Sequence, residues 1–390
     1  MELARANRLH IGIFGKVNSG KSSLINLLTN REVSLISDKE GTTTDSVYKN
    51  IEFGALGPVV LMDTPGLGDK TELGFLREKR SKKDLERADI VLIVISDPEI
   101  SEELEIIKSL KKTPKIIAIN KCDILSHEDK QKIYDKLKDL KIKIIEISVK
   151  ENTGIEKLRS EIIKLKPEEE IQIFEGLARE KDLVLLVMPQ DIAAPQKRLI
   201  LPQAESIREL LDRNCLVMAV KLEEYEDMLE NLKRPPNLIV TDSQVFKEVF
   251  EKKPKESKLT SFSVLFAKSK GNIKSYMEGV RAFSKINKDS KILIAECCAH
   301  APATEDIGRI KIPKMLKKKF GEDLQVDFQS GAFLPDDISK YDLIIQCGGC
   351  MLTRKNILSR IDRADNLQVP ITNYGLTIAY FKEILDKIVI

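Results

Sequence analysis

No stretch of this chain is apolar for long enough to cross a bilayer. The longest runs, IVLIVI at 90–95 and LVLLVM at 183–188, fall far short of the roughly 20 residues a spanning helix needs. A surplus of either charge is also missing: Lys+Arg 64 against Asp+Glu 61 leaves a formal net charge of +3. No overall field therefore calls for nucleic acid or an anionic membrane, and neither is an expected partner. The first residues, MELARANR, are charged and lack the apolar core of a secretory signal. Cysteine is scarce, six in 390 residues and unevenly spread, which excludes a disulfide framework. The expected setting is a reducing, cytoplasmic one, with the cysteines acting as thiols or metal ligands.

At 390 residues the chain is too long for one compact core. From residue 8 to about 165, apolar strands (HIGIF, VVLMD, DIVLIVIS, KIIAIN, KIIEIS) alternate with polar, periodic helices, the pattern of a doubly wound, mostly parallel α/β sheet. KPEEE at 166–170 breaks it and reads as a linker. A shorter strand–helix alternation runs from 171 to the lysine-rich EKKPKESK at 251–258, and a third segment follows to 390. The expected α/β domains are thus 1–168, 171–257 and 259–390.

The first segment contains Gly15-Lys16-Val17-Asn18-Ser19-Gly20-Lys21-Ser22, which fits G-x-x-x-x-G-K-[ST] and sits between a strand and the helix SSLINLL that includes Ser23. Glycines let backbone N–H groups wrap phosphates, Lys21 adds a point charge at the β and γ phosphates, and Ser22 ligates Mg²⁺. VVLMDTPG places Asp63 at a strand end, where it can hold Mg²⁺ through water, with the Gly66 N–H available to the γ-phosphate. Asn120-Lys121-Cys122-Asp123 supplies a base reader. The Asp123 carboxylate accepts from guanine N1 and N2, which adenine cannot match, and sites built this way reject the wrong partner by roughly 10⁴ to 10⁵. GTP is expected over ATP. Ser148-Val149-Lys150, after the next strand, completes the base pocket, and Cys122 is expected to pack there without a ligand role.

These elements in this order resemble a translation-factor-type small GTPase. Within that class GKVNSGKSSLINLL, GTTTD at 41–45 and DTPGL at 63–67 are similar to the Era and MnmE branch. The resemblance implies that Thr43 senses Mg²⁺ in switch I, with Thr42 or Thr44 as slipped alternatives. It also implies that Asn18 helps hold K⁺ beside the phosphates. Lys21, Thr43 and Gly66 are the expected catalytic residues for hydrolysis of GTP to GDP and phosphate. Leu67 stands where Ras-like enzymes carry a water-orienting glutamine. Hydrolysis is expected at or below the roughly 10⁻⁴ to 10⁻³ s⁻¹ of unassisted Ras unless K⁺ or a dimer partner contributes.

The middle segment has no glycine-rich turn after its first strand, so a second nucleotide site is not expected. A sheet of about three strands has edges to cover, and self-association through this segment is the economical expectation. Cys215, in CLVMAV, reads as a core residue.

In the third segment KILIAE runs into Cys297-Cys298-Ala299-His300, and YDLIIQ runs into Cys347-Gly348-Gly349-Cys350. Carboxyl ends of strands in an open parallel sheet face one crevice, so the two groups can converge. Gly348-Gly349 lets the chain curl so that both thiolates aim at one point. Three chemistries fit: a redox dithiol, a structural zinc site on Cys298, Cys347, Cys350 and His300, or an iron–sulfur cluster on three cysteines. Adjacent residues of an extended chain point to opposite sides, so Cys297 and Cys298 are not both expected to ligate.

Along its whole length the chain resembles the HydF family, the GTPase maturases of iron-iron hydrogenase. The features that carry this are the GTPase motifs, a middle domain without a phosphate loop, and C-x-H followed after 46 residues by C-x-x-C. The resemblance implies a 4Fe-4S cluster on Cys298, Cys347 and Cys350, and homodimerisation through the middle domain. It implies further a scaffold or carrier role for a di-iron precursor, with the radical-SAM maturases HydE and HydG and the hydrogenase apoprotein as partners. Many family members have histidine before C-x-x-C; here Gln346 stands there, a poor iron ligand. His300, Glu305 or Asp306 are then the candidates for a fourth ligand, or the position stays exchangeable. The competing reading is an Era/MnmE-like RNA- or ribosome-associated GTPase with a structural zinc. The balanced charge and the lack of a KH-type G-x-x-G loop after the GTPase segment weigh against it.

Overall fold

The computed structural model describes residues 8–29, 47–64, 84–85, 87–110, 113–166, 172–189, 199–297 and 306–390. Thr42, Thr43, Thr44, Gly66, Leu67, Cys298, His300 and Glu305 lie outside the described residues. The chain forms two compact units, 3–170 and 171–390.

In the first unit the strands are β1 (Leu9–Phe14), β2 (Val47–Glu52), β3 (Pro58–Asp63), β4 (Ile90–Ile95), β5 (Lys115–Ile119) and β6 (Lys143–Glu146). They form one sheet in the order β2-β3-β1-β4-β5-β6, in which only β2 runs antiparallel. Their near-continuous apolar runs follow from burial on both faces. Along β4, Leu92 and Val94 join one core cluster with Ile11 and Ile13, while Val91, Ile93 and Ile95 join the other with Phe14. Helices α1 (Lys21–Thr29), α2 (Ser101–Ser109), α3 (His127–Leu137) and α4 (Ile155–Lys164) belong to this unit. The Ser126 hydroxyl caps α3 by accepting from the Asp129 N–H.

The second unit holds two parallel sheets. One contains β7 (Leu183–Val187), β8 (Leu216–Val220), β9 (Leu238–Thr241) and β10 (Lys258–Ser261), in the order β10-β9-β7-β8. The expectation of about three strands is corrected to four: the chain enters β10 where a segment boundary was read, because KLTS is too short and polar to register as a strand before it pairs with β9. The other sheet contains β11 (Lys291–Glu296), β12 (Gln325–Ser330), β13 (Leu343–Gln346) and β14 (Ile371–Asn373), in the order β12-β11-β13-β14. A single core cluster joins residues of both sheets, from Leu185 and Ile239 to Ile294 and Ile345. Helices α5 (Leu201–Asp212), α6 (Tyr225–Asn231), α7 (Phe246–Lys252), α8 (Phe262–Lys270), α9 (Ile273–Arg281), α10 (Ile312–Phe320), α11 (Arg354–Asn366) and α12 (Tyr374–Phe381) accompany them. Cys215 is buried as expected, its thiol donating to the Arg179 carbonyl at 3.2 Å. Among the described residues, no helix is long and apolar enough to cross a membrane.

Candidate functional sites

The phosphate loop links β1 to α1. At Gly15 the backbone passes so close to β4 that a Cβ would lie 2.3 Å from the Val94 carbonyl oxygen. Gly20 has φ +94, and a Cβ there would meet Asn120 Nδ2 at 2.3 Å. Both positions require glycine for conformation and for space. Asn18 is exposed with φ 64, a left-handed conformation that asparagine tolerates.

Lys21 is buried, and its Nζ donates to the carbonyls of Gly15 at 2.8 Å and Lys16 at 2.7 Å. Burial lowers its pKa, an effect opposed by the charges of Asp63 and Glu103. Ser22 Oγ donates to Asp63 Oδ2 at 2.7 Å, so the two described Mg²⁺ candidates are brought together at the ends of α1 and β3. Ser23 and Val17 are exposed. The Lys16 side chain turns away from the loop to Asp97, 3.4 Å away, and to the Glu99 carbonyl.

The base-reading segment is braced to the same loop. Asn120 Nδ2 donates to the Ser19 carbonyl at 2.8 Å, and Asn120 Oδ1 accepts from the Val149 N–H at 3.1 Å. Ser148 Oγ donates to Asp123 Oδ1 at 2.6 Å and holds that exposed carboxyl below its ordinary range. Lys121 has φ 62, and the charge of Lys150 also favours the ionised Asp123. Cys122 is half-buried, with its thiol directed at the Ile119 carbonyl at 3.2 Å, in keeping with a packing role.

One contributor was missed in the sequence. Glu103 on α2 is buried and accepts from the Lys16 N–H at 3.3 Å, and desolvation raises its pKa. It sits 87 positions from its partner, so no local pattern announces it.

At the cysteine site, β11 and β13 are parallel neighbours with Ala295 opposite Gln346. Their chains leave the sheet side by side. The Cys347 N–H continues the ladder to the Ala295 carbonyl at 3.0 Å, and the Cys297 N–H donates to Cys347 Sγ at 3.2 Å. The sulfurs of Cys297 and Cys347 are 3.1 Å apart, and this contact holds the Cys347 thiol below its ordinary range. Cys297, set aside in favour of Cys298 on the sequence, is therefore the described member of its pair that reaches Cys347. Gly349 has φ +66, and a Cβ there would lie 2.5 Å from Ile357 Cδ1 and 4.0 Å from Cys297 Sγ, so the position requires glycine. Cys350 is half-buried.

Gln346 is buried and donates from Nε2 to the Tyr276 hydroxyl, while its Oε1 has no partner among the described residues. Asp306 accepts from the Arg309 N–H at 2.7 Å and so caps the π-turn Ile307–Lys311. Glu296 is paired with Arg309 at 3.0 Å. The described residues contain no group of three or more His, Cys, Asp or Glu arranged for a metal ion. The donors fit an iron–sulfur group by type: thiols at adjacent strand ends, the Cys347 thiol held below its ordinary range, with a buried Tyr374 hydroxyl that has no partner among the described residues. Burial, then the Cys347 charge, pushes that phenol up.

Comparison with known proteins adds to this geometry. Residues 10–121 match the family model described as 50S ribosome-binding GTPase. MnmE tRNA modification GTPases are similar to the N-terminal part: that of Flavobacterium johnsoniae is 33% identical over 168 residues, covering 40% of this chain and 35% of that protein. The Aquifex aeolicus protein is 34% identical over 157 residues, covering 40% and 34%. The chain thus spans about a third of the length of these curated relatives. Among solved structures, an Aquifex aeolicus Era variant bound to GDP.AlF4- is 23% identical, with 54% of this chain and 92% of that one covered and a TM-score of 0.34. The G domain of the T. maritima FeoB iron transporter is also 23% identical, covering 41% and 100%, with a TM-score of 0.33. Residues 173–271 match the hydrogen maturase F dimerization domain, and residues 274–390 match its tetramerization domain. With both of these following a GTPase domain, the chain belongs to the hydrogen maturase F family.

Proposed function

We propose that this protein is a GTP-binding and GTP-hydrolysing maturation factor for iron-iron hydrogenase. In this reading it carries a 4Fe-4S cluster and serves as scaffold or carrier for the di-iron subcluster precursor. The observation that supports the reading is the pairing of β11 with β13, which brings Cys297 and Cys347 together at one sheet end. Cys298, Cys347 and Cys350 would hold the cluster. When bound, it would supply iron for holding a cyanide-bearing di-iron cargo, the fourth position being taken by His300, Glu305 or Asp306 or left exchangeable. Gln346, engaged by Tyr276, is not directed to that task. HydE, HydG and the hydrogenase apoprotein are the proposed partners, and the middle division, carried past 257 to take in β10 of its sheet, serves homodimerisation.

In the nucleotide site the chain's own groups do the work. With GTP bound, Lys21 would supply its charge to the β and γ phosphates, and Ser22 and Asp63, already in contact, would hold Mg²⁺, which would offset the phosphate charge. Asp123, kept ionised by Ser148, accepts from the guanine edge. The Thr43 and Gly66 contacts and K⁺ beside Asn18 complete the proposal, and hydrolysis in K⁺ compared with Na⁺ reads the last of these. The test of the whole is in vitro activation of apo-hydrogenase by anaerobically prepared protein. Cys298→Ser, Cys347→Ser and Cys350→Ser are each expected to abolish activation and lose cluster iron while GTP affinity is unchanged. A Cys347→Ser protein that kept full iron content and full activation would refute it.

A further inference from the structure

We propose that Arg360 and Cys297 are positioning residues of the cysteine site, fixing the Cys347 sulfur and offsetting the negative charge of the thiolate-held cluster so that its reduction potential is raised. This rests on the cluster reading above.

Arg360, on α11, is 4% exposed. Its Nε donates to the Ala332 carbonyl at 3.1 Å, Nη2 donates to the Gly331 carbonyl, and Nη1 lies 3.9 Å from Cys297 Sγ. A guanidinium taken out of water needs negative charge close by, and two backbone carbonyls supply only dipoles. No carboxylate pairs with it among the described residues. The negative charge in its reach is the thiolate of Cys347, whose Sγ lies 3.1 Å beyond the Cys297 Sγ that Arg360 approaches. A second buried cation, Lys270 at the end of α8, is 2% exposed; burial lowers its pKa against the charges of Glu205, then Cys350 and Cys297.

Cys297 is the element that passes this field on. Its N–H donates to Cys347 Sγ, and its sulfur touches that same atom. When Cys347 is a metal-bound thiolate it can only accept, so the N–H and S–H of Cys297 both act as donors to it. Donors and cations at a ligand sulfur stabilise the more negative, reduced form of a cluster, and hydrogen bonds to sulfur are a recognised determinant of cluster potential.

The test compares anaerobically reconstituted wild type, Arg360→Met, Arg360→Lys, Cys297→Ser and Cys297→Ala, with iron and sulfide content, thermal unfolding and EPR-monitored redox titration of each. Arg360→Met is expected to retain most of its iron. Its midpoint should shift negative so that the oxidised-to-reduced ratio at fixed potential rises about tenfold, which for one electron is about 59 mV. Arg360→Lys keeps the charge but loses the fork to residues 331 and 332, so it should recover most of the potential while unfolding at lower temperature. Cys297→Ala should keep its iron and shift in the same direction by less, with Cys297→Ser between it and wild type. A purely structural Arg360 would change unfolding without moving the potential, and an unshifted Arg360→Met midpoint overturns the inference. So does loss of cluster from both Cys297 variants, which would make Cys297 a ligand. If Arg360→Met does not fold, the Cys297→Ala midpoint decides alone, and no shift there overturns the inference. Wild type that takes up no cluster refutes the underlying cluster reading instead.

Discussion

Around the phosphate loop, the polar groups that would face a nucleotide are engaged by other protein groups: Lys21 by two carbonyls, Ser22 by Asp63, Asn120 by the Ser19 carbonyl, Asp123 by Ser148. At the ends of β11 and β13 the sulfurs of Cys297 and Cys347 engage each other, and Arg360 approaches Cys297 from a helix 63 positions along the chain. The first site is shaped by backbone and by short motifs at strand ends. The second is shaped by which strands pair and which helices cross them. Substitutions should therefore act differently in the two places.

The widest gap is expected at Asp123. Asp123→Ala removes the guanine acceptor, so the preference for GDP over ADP in competition binding should fall by about 10⁴. Cluster iron should be unaffected. A preference that survived would remove Asp123 from the base pocket.

Next comes a pair of glycines. Gly20→Ala forces a Cβ into Asn120 Nδ2 and breaks the brace to Ser19, which should cost about 1–3 kcal/mol in urea unfolding of the first unit and weaken nucleotide binding. Gly348→Ala meets no atom within 4 Å, so it should stay within about 0.5 kcal/mol of wild type. Equal costs at the two positions would erase the contrast between a backbone-built and a topology-built site.

The smallest effect expected is a pH shift. The Ser148 hydroxyl holds the Asp123 pKa down, and guanine binding needs the ionised form, so affinity persists as pH falls until it passes that lowered pKa. Ser148→Ala lets the pKa rise toward its ordinary value, and affinity should then begin to fall at a higher pH. Fluorescent GDP titrations between pH 7 and about pH 4 would show it. Superimposable profiles would mean that Ser148 does not tune Asp123.

The same contrast explains what could be read from residues alone. Strands β1, β3, β4 and β5 carry near-continuous apolar runs because both faces are covered, and the phosphate-loop and base-reading motifs sit at their ends. β12, with the half-exposed sequence QVDFQS, carries only a two-residue alternation, Val326 and the exposed Phe328, and is held as a strand by its pairing with β11. Convergence of the two cysteine groups was legible as a rule about parallel strand ends. The placement of Cys297 against Cys347 was not, since alternation along a strand does not say which of two adjacent cysteines faces inward once the strand has ended. Arg360 and Lys270 were invisible for another reason. In RKNILSRIDRADN and FSVLFAKSK a basic residue looks like a solvated position, and only the crossing of α8 and α11 near the cysteines buries it.

The central claim is tested most directly by iron and acid-labile sulfide analysis of the anaerobically reconstituted protein, with EPR after reduction. About four iron and four sulfide per chain, with the signal of a reduced 4Fe-4S cluster that is lost in Cys347→Ser, is the predicted result. Iron near zero after reconstitution, or zinc in its place, would contradict it.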